Sequence, residues 1–138
     1  MIDLVFKNLT AQKSPSGKFF RKILEKGALV LNLNKNLEIS VNIVGAMKIK
    51  ELNKKYRNKN QPTDVLSFPL GDGSGDVFIC LSIAKKQAKS ENISIEKKLA
   101  RLSVHGFLHL QGYDHETSKQ DAEEMLKFEN QILSILNF

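Results

Sequence analysis

Ile2, Leu4 and Phe6 recur at every second position, and Leu37, Ile39, Val41 and Ile43 do so more cleanly, with Glu38, Ser40 and Asn42 between them. Side chains two apart share one face of a strand, so both segments predict half-buried strands. Between them, Phe19, Phe20, Ile23 and Leu24 fall at helical spacing and predict a short amphipathic helix ending near Gly27. Ile49, Leu52, Asn53 and Tyr56 keep the same period, which predicts a second helix from Ala46 to about Arg57 with a lysine-rich outer face and Pro62 as its stop.

Asp64 to Phe68 and Asp76 to Cys80 read as two further strands, joined by Pro69 to Gly75, whose three glycines accept turn conformations that other residues resist. Ile83 to Lys89 predicts a short helix. Ser94 can cap the next one, with Glu96 in its first turn, and from Leu99 to Leu110 the chain is apolar on nearly every side, so that helix must be largely buried. Ser118 can cap a last helix through Asn137, with Met125, Phe128, Ile132 and Ile135 on its inner stripe. Four strands and about five helices make an α+β protein. With no internal repeat, linker or low-complexity tract, residues 1–138 read as a single domain.

Composition narrows the class. The hydrophobic share of 41% and charged share of 26% suit a globular chain with a core of its own. A lone cysteine, Cys80, excludes an internal disulfide, and Asp3 interrupts the apolar run that a signal peptide would need, so a reducing cytoplasm is the expected location. No apolar run approaches the roughly 18 residues of a membrane span. The net charge of +6 is uneven: residues 1–59 hold 13 Lys and Arg against 4 Asp and Glu, a balance of +9, whereas residues 60–138 hold 8 against 11, or −3. Such asymmetry suits a polyanionic partner, although 18 of the 21 basic residues are Lys in a chain also rich in Asn and Ile, as a coding bias would produce.

The candidate chemistry is concentrated. All three histidines fall within eleven residues, His105-Gly-Phe-Leu-His109-Leu-Gln-Gly112-Tyr-Asp-His115. His105 and His109, at i and i+4 on the buried helix, project from one face about a turn apart. Gly112 stands where a helix end wants a left-handed residue, and the reversed chain can bring back His115 as a third ligand. Three imidazoles suit one zinc ion, with nickel, copper or iron as other possibilities, and three protein ligands leave a position open for water and hydrolysis. The spacing resembles that of the metzincin metalloproteases, H-E-x-x-H-x-x-G-x-x-H, except that their general base, the Glu after the first His, is here Gly106. Asp114 and Glu116 are the nearest carboxylates; each could orient a ligand or take a proton, or serve as a turn cap and a solvated charge. Cys80, at the end of an apolar strand, reads as packing rather than a fourth ligand.

The same stretch resembles the signature of the YbeY endoribonucleases, bacterial rRNA maturation factors. Leu52-Asn53, Tyr56-Arg57, Pro62-Thr63-Asp64-Val65-Leu66-Ser67-Phe68-Pro69, Gly75-Asp76 and Glu124-Met125 extend the likeness from about Leu37 to the end. The resemblance implies a small, mostly parallel sheet with one antiparallel strand, covered by helices. It also implies a metal-dependent endonuclease for single-stranded RNA, acting in 16S rRNA 3′-end maturation and ribosome quality control beside the small ribosomal subunit. By the motif, His105, His109 and His115 would hold zinc, with Arg57 and His105 as the catalytic residues.

Arg57 stands among Lys48, Lys50, Lys54, Lys55 and Lys59. A guanidinium can hold a phosphate bidentately and offset charge as a phosphodiester breaks, with Lys55 and Lys59 as further substrate-binding candidates. Its bland reading is a solvated helix end. Arg101, four residues before His105, could reach the site or form an ion pair in the core. Tyr56 and Tyr113 could stack on unpaired bases or pack internally. Two other functions compete: a zinc-stiffened, non-enzymatic ribosome-assembly factor, and a small metallopeptidase.

Overall fold

Strand residues two apart land on one face of the sheet, and the computed structural model, which describes residues 1–114, 116 and 118–138, shows what covers each face. Among the described residues the elements run β1 (Ile2–Asn8), α1 (Gly17–Val30), β2 (Leu37–Val44), α2 (Ala46–Arg57), β3 (Val65–Gly71), β4 (Ser74–Cys80), α3 (Leu81–Glu91), α4 (Ile95–Leu110) and α5 (Lys119–Ile135). The sheet order is β1-β2-β4-β3, with β1, β2 and β4 parallel and the edge strand β3 antiparallel to β4. This is the expected small mixed sheet with five helices.

The register aligns Ile2 and Leu4 with Leu37 and Ile39, and Val41 and Ile43 with Val77 and Ile79. These side chains form one buried face, joined by Phe20 and Leu24 of α1 and by Leu99, Leu102 and Phe107 of α4. Behind α4, a second cluster gathers Ile23, Val104, Leu108, Met125 and Ile132 from α1, α4 and α5. On the opposite face of the sheet, Ile49 of α2 packs with Val44, Leu66 and Cys80. Cys80 is fully buried there, as a packing residue.

Both serine caps form: Ser94 Oγ accepts from the Lys97 amide and Ser118 Oγ from the Asp121 amide, each at 3.0 Å. Several element ends differ from expectation: α3 extends to Leu81 and Glu91 beyond Ile83 to Lys89, and α5 ends at Ile135, not Asn137. Gly27 does not end α1, which continues to Val30. It lies where a Cβ would come within 3.0 Å of the Phe107 ring, so the glycine lets α1 approach α4 instead of stopping the helix. The segment Pro69 to Gly75 is no open loop. β3 runs on to Gly71 and β4 starts at Ser74, leaving a two-residue turn at Asp72 (φ 54°) and Gly73 (φ 84°), both left-handed as a tight hairpin of this hand requires. α2 spans Ala46–Arg57 as expected, but it is closed by the left-handed Asn58 and not by Pro62.

Candidate active site

The end of α4 is what the sequence around Gly112 dictates. The Tyr113 amide donates to Leu108 O and the Gly112 amide to His109 O, both at 3.0 Å, with Gly112 at φ 96°. This pair of bonds is a Schellman closure, which a glycine at the left-handed position makes cheap. The residue before Gly112, Gln111, donates its side-chain amide to Gly73 O at 2.7 Å and ties the β3–β4 turn to the helix end.

α4 is buried on most sides through Leu99, Ala100, Leu102, Val104, Phe107, Leu108 and Leu110, all but Ala100 contributing about 1.5–3 kcal/mol each. That core fixes the helix rotation. His105 and His109 are left half-buried on the remaining side, where they share a cleft of about 600 Å³ with β3. Their Nε2 atoms lie 3.2 Å apart, with ring centroids separated by 4.7 Å. Two Zn–N bonds of about 2.0–2.1 Å at a tetrahedral angle hold their nitrogens roughly 3.3–3.4 Å apart, so the pair fits two ligands of one ion. In the absence of an ion the same approach is an N–H···N bond between a donor and an acceptor imidazole. His115, the expected third ligand, lies outside the described residues. Among the described residues no group of three His, Cys, Asp or Glu side chains is placed to hold a metal.

Arg57, at the last turn of α2, and Lys59 just beyond it form the basic wall of the cleft; Asp114 and Glu116 line it from beyond α4. Asp114 Oδ1 accepts from the Glu116 amide at 2.8 Å, which is the turn cap weighed from the sequence. Contrary to expectation Lys55 does not reach the cleft, whereas Arg101 makes the ion pair weighed from the sequence, although a partly exposed one. Lys55 lies outside the cleft lining, its Nζ 5.2 Å from the Tyr56 ring centroid. Arg101 turns to Glu91 at 3.3 Å, where Lys98 also pairs at 2.7 Å and holds the Glu91 carboxyl below its usual range. Close by, burial pushes the Glu129 carboxyl up against the pull of Arg101 and Lys98. Arg101 is therefore part of a structural charge cluster.

Sequence reasoning missed the residues contributed by β3. Ser67 lines the cleft and donates to Gly106 O at 3.2 Å, while Asp64, at the mouth of the strand, accepts from the Val65 amide at 2.8 Å. The available signal was a serine on the apolar side of a strand, at the position of Val65 two residues on.

Gly106 explains itself. A Cβ there would stand 2.8 Å from Val77 Cγ1 and 3.1 Å from Ser67 Oγ, so the position after the first histidine faces the sheet, not the cleft. A glutamate could not act there as it does in the metalloproteases. Gly106→Ala is expected to cost about 1–3 kcal/mol through overpacking. Urea unfolding measures this, and an unchanged midpoint would mean that Val77 yields without strain.

The two tyrosines separate. Tyr113 packs on Phe128 at 5.3 Å between ring centroids, and burial raises its hydroxyl above the ordinary value with Glu124 adding to the effect. Tyr56 is 57% exposed.

Comparison with known proteins places these features in company. The family model described as endoribonuclease YbeY matches residues 4–137. The chain is 43% identical over 131 residues to the endoribonuclease YbeY of Sulfurihydrogenibium sp., covering 90% of this chain and 86% of that one. It is 41% identical over 141 residues to that of Aquifex aeolicus, covering 95% and 93%. A Thermotoga maritima protein solved in solution superposes with a TM-score of 0.66 at 29% identity, over 98% of this chain and 92% of the other.

Proposed function

The chain belongs to the YbeY endoribonuclease family, and from that premise we propose that the cleft between α4 and β3 cuts unpaired RNA with a zinc ion held by His105, His109 and His115. It is an RNA-cleaving hydrolase, with RNA as its substrate. What carries the proposed assignment of the site is the approach of His105 Nε2 and His109 Nε2 to 3.2 Å inside the cleft that Arg57 also lines. Nickel or another transition metal fits the same nitrogens.

When bound, such an ion supplies Lewis acidity toward a phosphoryl oxygen and makes water a stronger acid. The chain's own groups do the rest. Arg57 donates to non-bridging phosphate oxygens and offsets charge as the P–O bond breaks, with Lys59 as a second cation on the same wall. With Gly106 turned to the sheet, proton acceptors come from the cleft carboxylates Asp64, Asp114 and Glu116. His105 stands beside the reacting phosphate as ligand and neighbour. A cleft of about 600 Å³ has the volume of a small ligand, enough to take a nucleotide.

The same reading takes the RNA to be the 3′ end of 16S rRNA, met in the cytoplasm on the small ribosomal subunit, with ribosome quality control as the purpose. The +9 balance of residues 1–59 supports a polyanionic partner, and among the described residues no helix is long and apolar enough to cross a membrane. A metallopeptidase draws no support from Gly106.

Labelled single-stranded RNA, the matching duplex and casein, each incubated with protein of measured metal content, test the proposal. Cleavage of the single strand alone, lost with a chelator and restored by Zn²⁺, is the expected result. Equal cutting of duplex, or digestion of casein, would overturn it.

A further inference from the structure

We infer that Tyr56 is a base-stacking platform at the rim of the cleft, holding one unpaired nucleobase next to the phosphate on the Arg57 wall. This inference rests on the RNA-cutting role of the cleft and adds to it a determinant of how a strand is gripped.

A tyrosine near a sheet ordinarily buries its ring. Tyr56 is 57% exposed even though it sits on the second apolar face, where its ring meets Phe68 at 5.0 Å between centroids and an interplanar angle of 63°. Phe68 in turn meets Phe78 at 5.6 Å and 77°. The three rings form a chain running from the sheet outward, in which Phe68 and Phe78 hold Tyr56 in place and leave much of it to solvent.

The charge around Tyr56 says what suits its exposed ring. Lys55 Nζ lies 5.2 Å from the Tyr56 ring centroid, and the next residue, Arg57, lines the cleft with Lys59. A flat ring with one ammonium beside it, and with Arg57 and Lys59 on the lining of the cleft, suits a nucleotide, whose base stacks while its phosphates meet the cations; an apolar peptide would gain nothing from them. Phe68 points to the opposite face of β3 from Ser67, so the platform adjoins the cleft not through that strand but through Arg57, the residue after Tyr56, which lines it. Duplex RNA keeps its bases stacked within the helix, whereas an unpaired base is available to turn out onto a ring. The other tyrosine cannot serve, being packed on Phe128.

The test uses a short single-stranded RNA and a series carrying one abasic nucleotide at each position in turn. Binding is measured by fluorescence anisotropy and cleavage by product release, for wild type, Tyr56→Leu and Tyr56→Phe. Tyr56→Leu keeps apolar bulk against Phe68 but has no π face, and is expected to weaken binding and raise KM about 5- to 150-fold with kcat at saturation little changed. Tyr56→Phe restores affinity. One abasic position should cost wild type the same factor and cost Tyr56→Leu nothing further. Wild-type affinity in Tyr56→Leu, or a loss that no abasic position reproduces, would overturn the platform. Position-dependent binding without any product from wild type would refute the nuclease reading of the cleft while leaving the platform in place.

Discussion

His109→Ala is expected to lower the rate of RNA cleavage on the order of a thousandfold or more and to leave purified protein with little bound zinc. Second-shell changes around metal ligands already cost about 10- to 100-fold in affinity or activity, so removing one of two nitrogens set 3.2 Å apart must cost more. The substitution should leave folding nearly intact. His109 is half-buried in the last turn of α4, and the apolar residues that seat the helix, Phe107, Leu108 and Leu110, are untouched. Elemental analysis of the purified variant, a thermal melt and a cleavage time course together check the expectation. Wild-type metal content with wild-type activity would remove His109 from the site.

Arg57→Ala is expected to reduce kcat by about 100- to 1,000-fold while metal content stays at the wild-type level, the loss typical of deleting one donor to a developing negative charge. The exposed position of Arg57 at the end of α2 makes a folding defect a poor explanation for any loss. Arg57→Lys should recover only part of the rate, because an ammonium supplies the charge without the planar fork that meets two phosphate oxygens at once. Saturation kinetics separate the outcomes. A raised KM at constant kcat would make Arg57 a binding residue alone, and unchanged kinetics would make it a solvated helix end.

Most of the fold was legible from period alone, because the relevant residues answer to local physics. Leu37, Ile39, Val41 and Ile43 face one way in any strand, Ser94 and Ser118 satisfy amides three residues on, and Gly112 takes the backbone conformation that closes α4. The pairing of His105 and His109 was legible for the same reason, being a property of the i, i+4 spacing. What escaped depends on partners distant in sequence. Gly27 looks like a stop until Phe107 is seen against it, and Gly106 looks like a missing base until Val77 is. Asp64 and Ser67 join the cleft only because β3 pairs with β4 at the sheet edge and so lies beside α4. Lys55 and Arg57 were grouped by proximity in sequence, yet residues two apart on a helix point to roughly opposite sides, and only Arg57 lines the cleft. Arg101 shares the stripe of His105 but has Glu91 within reach on α3.

The bond from Gln111 to Gly73 has an entropic consequence. It fastens the tip of the β3–β4 hairpin to the closing turn of α4, so two segments that would each move independently are braced against one another. Were RNA to enter the proposed cleft, this brace would leave less conformational freedom for the protein to lose on association.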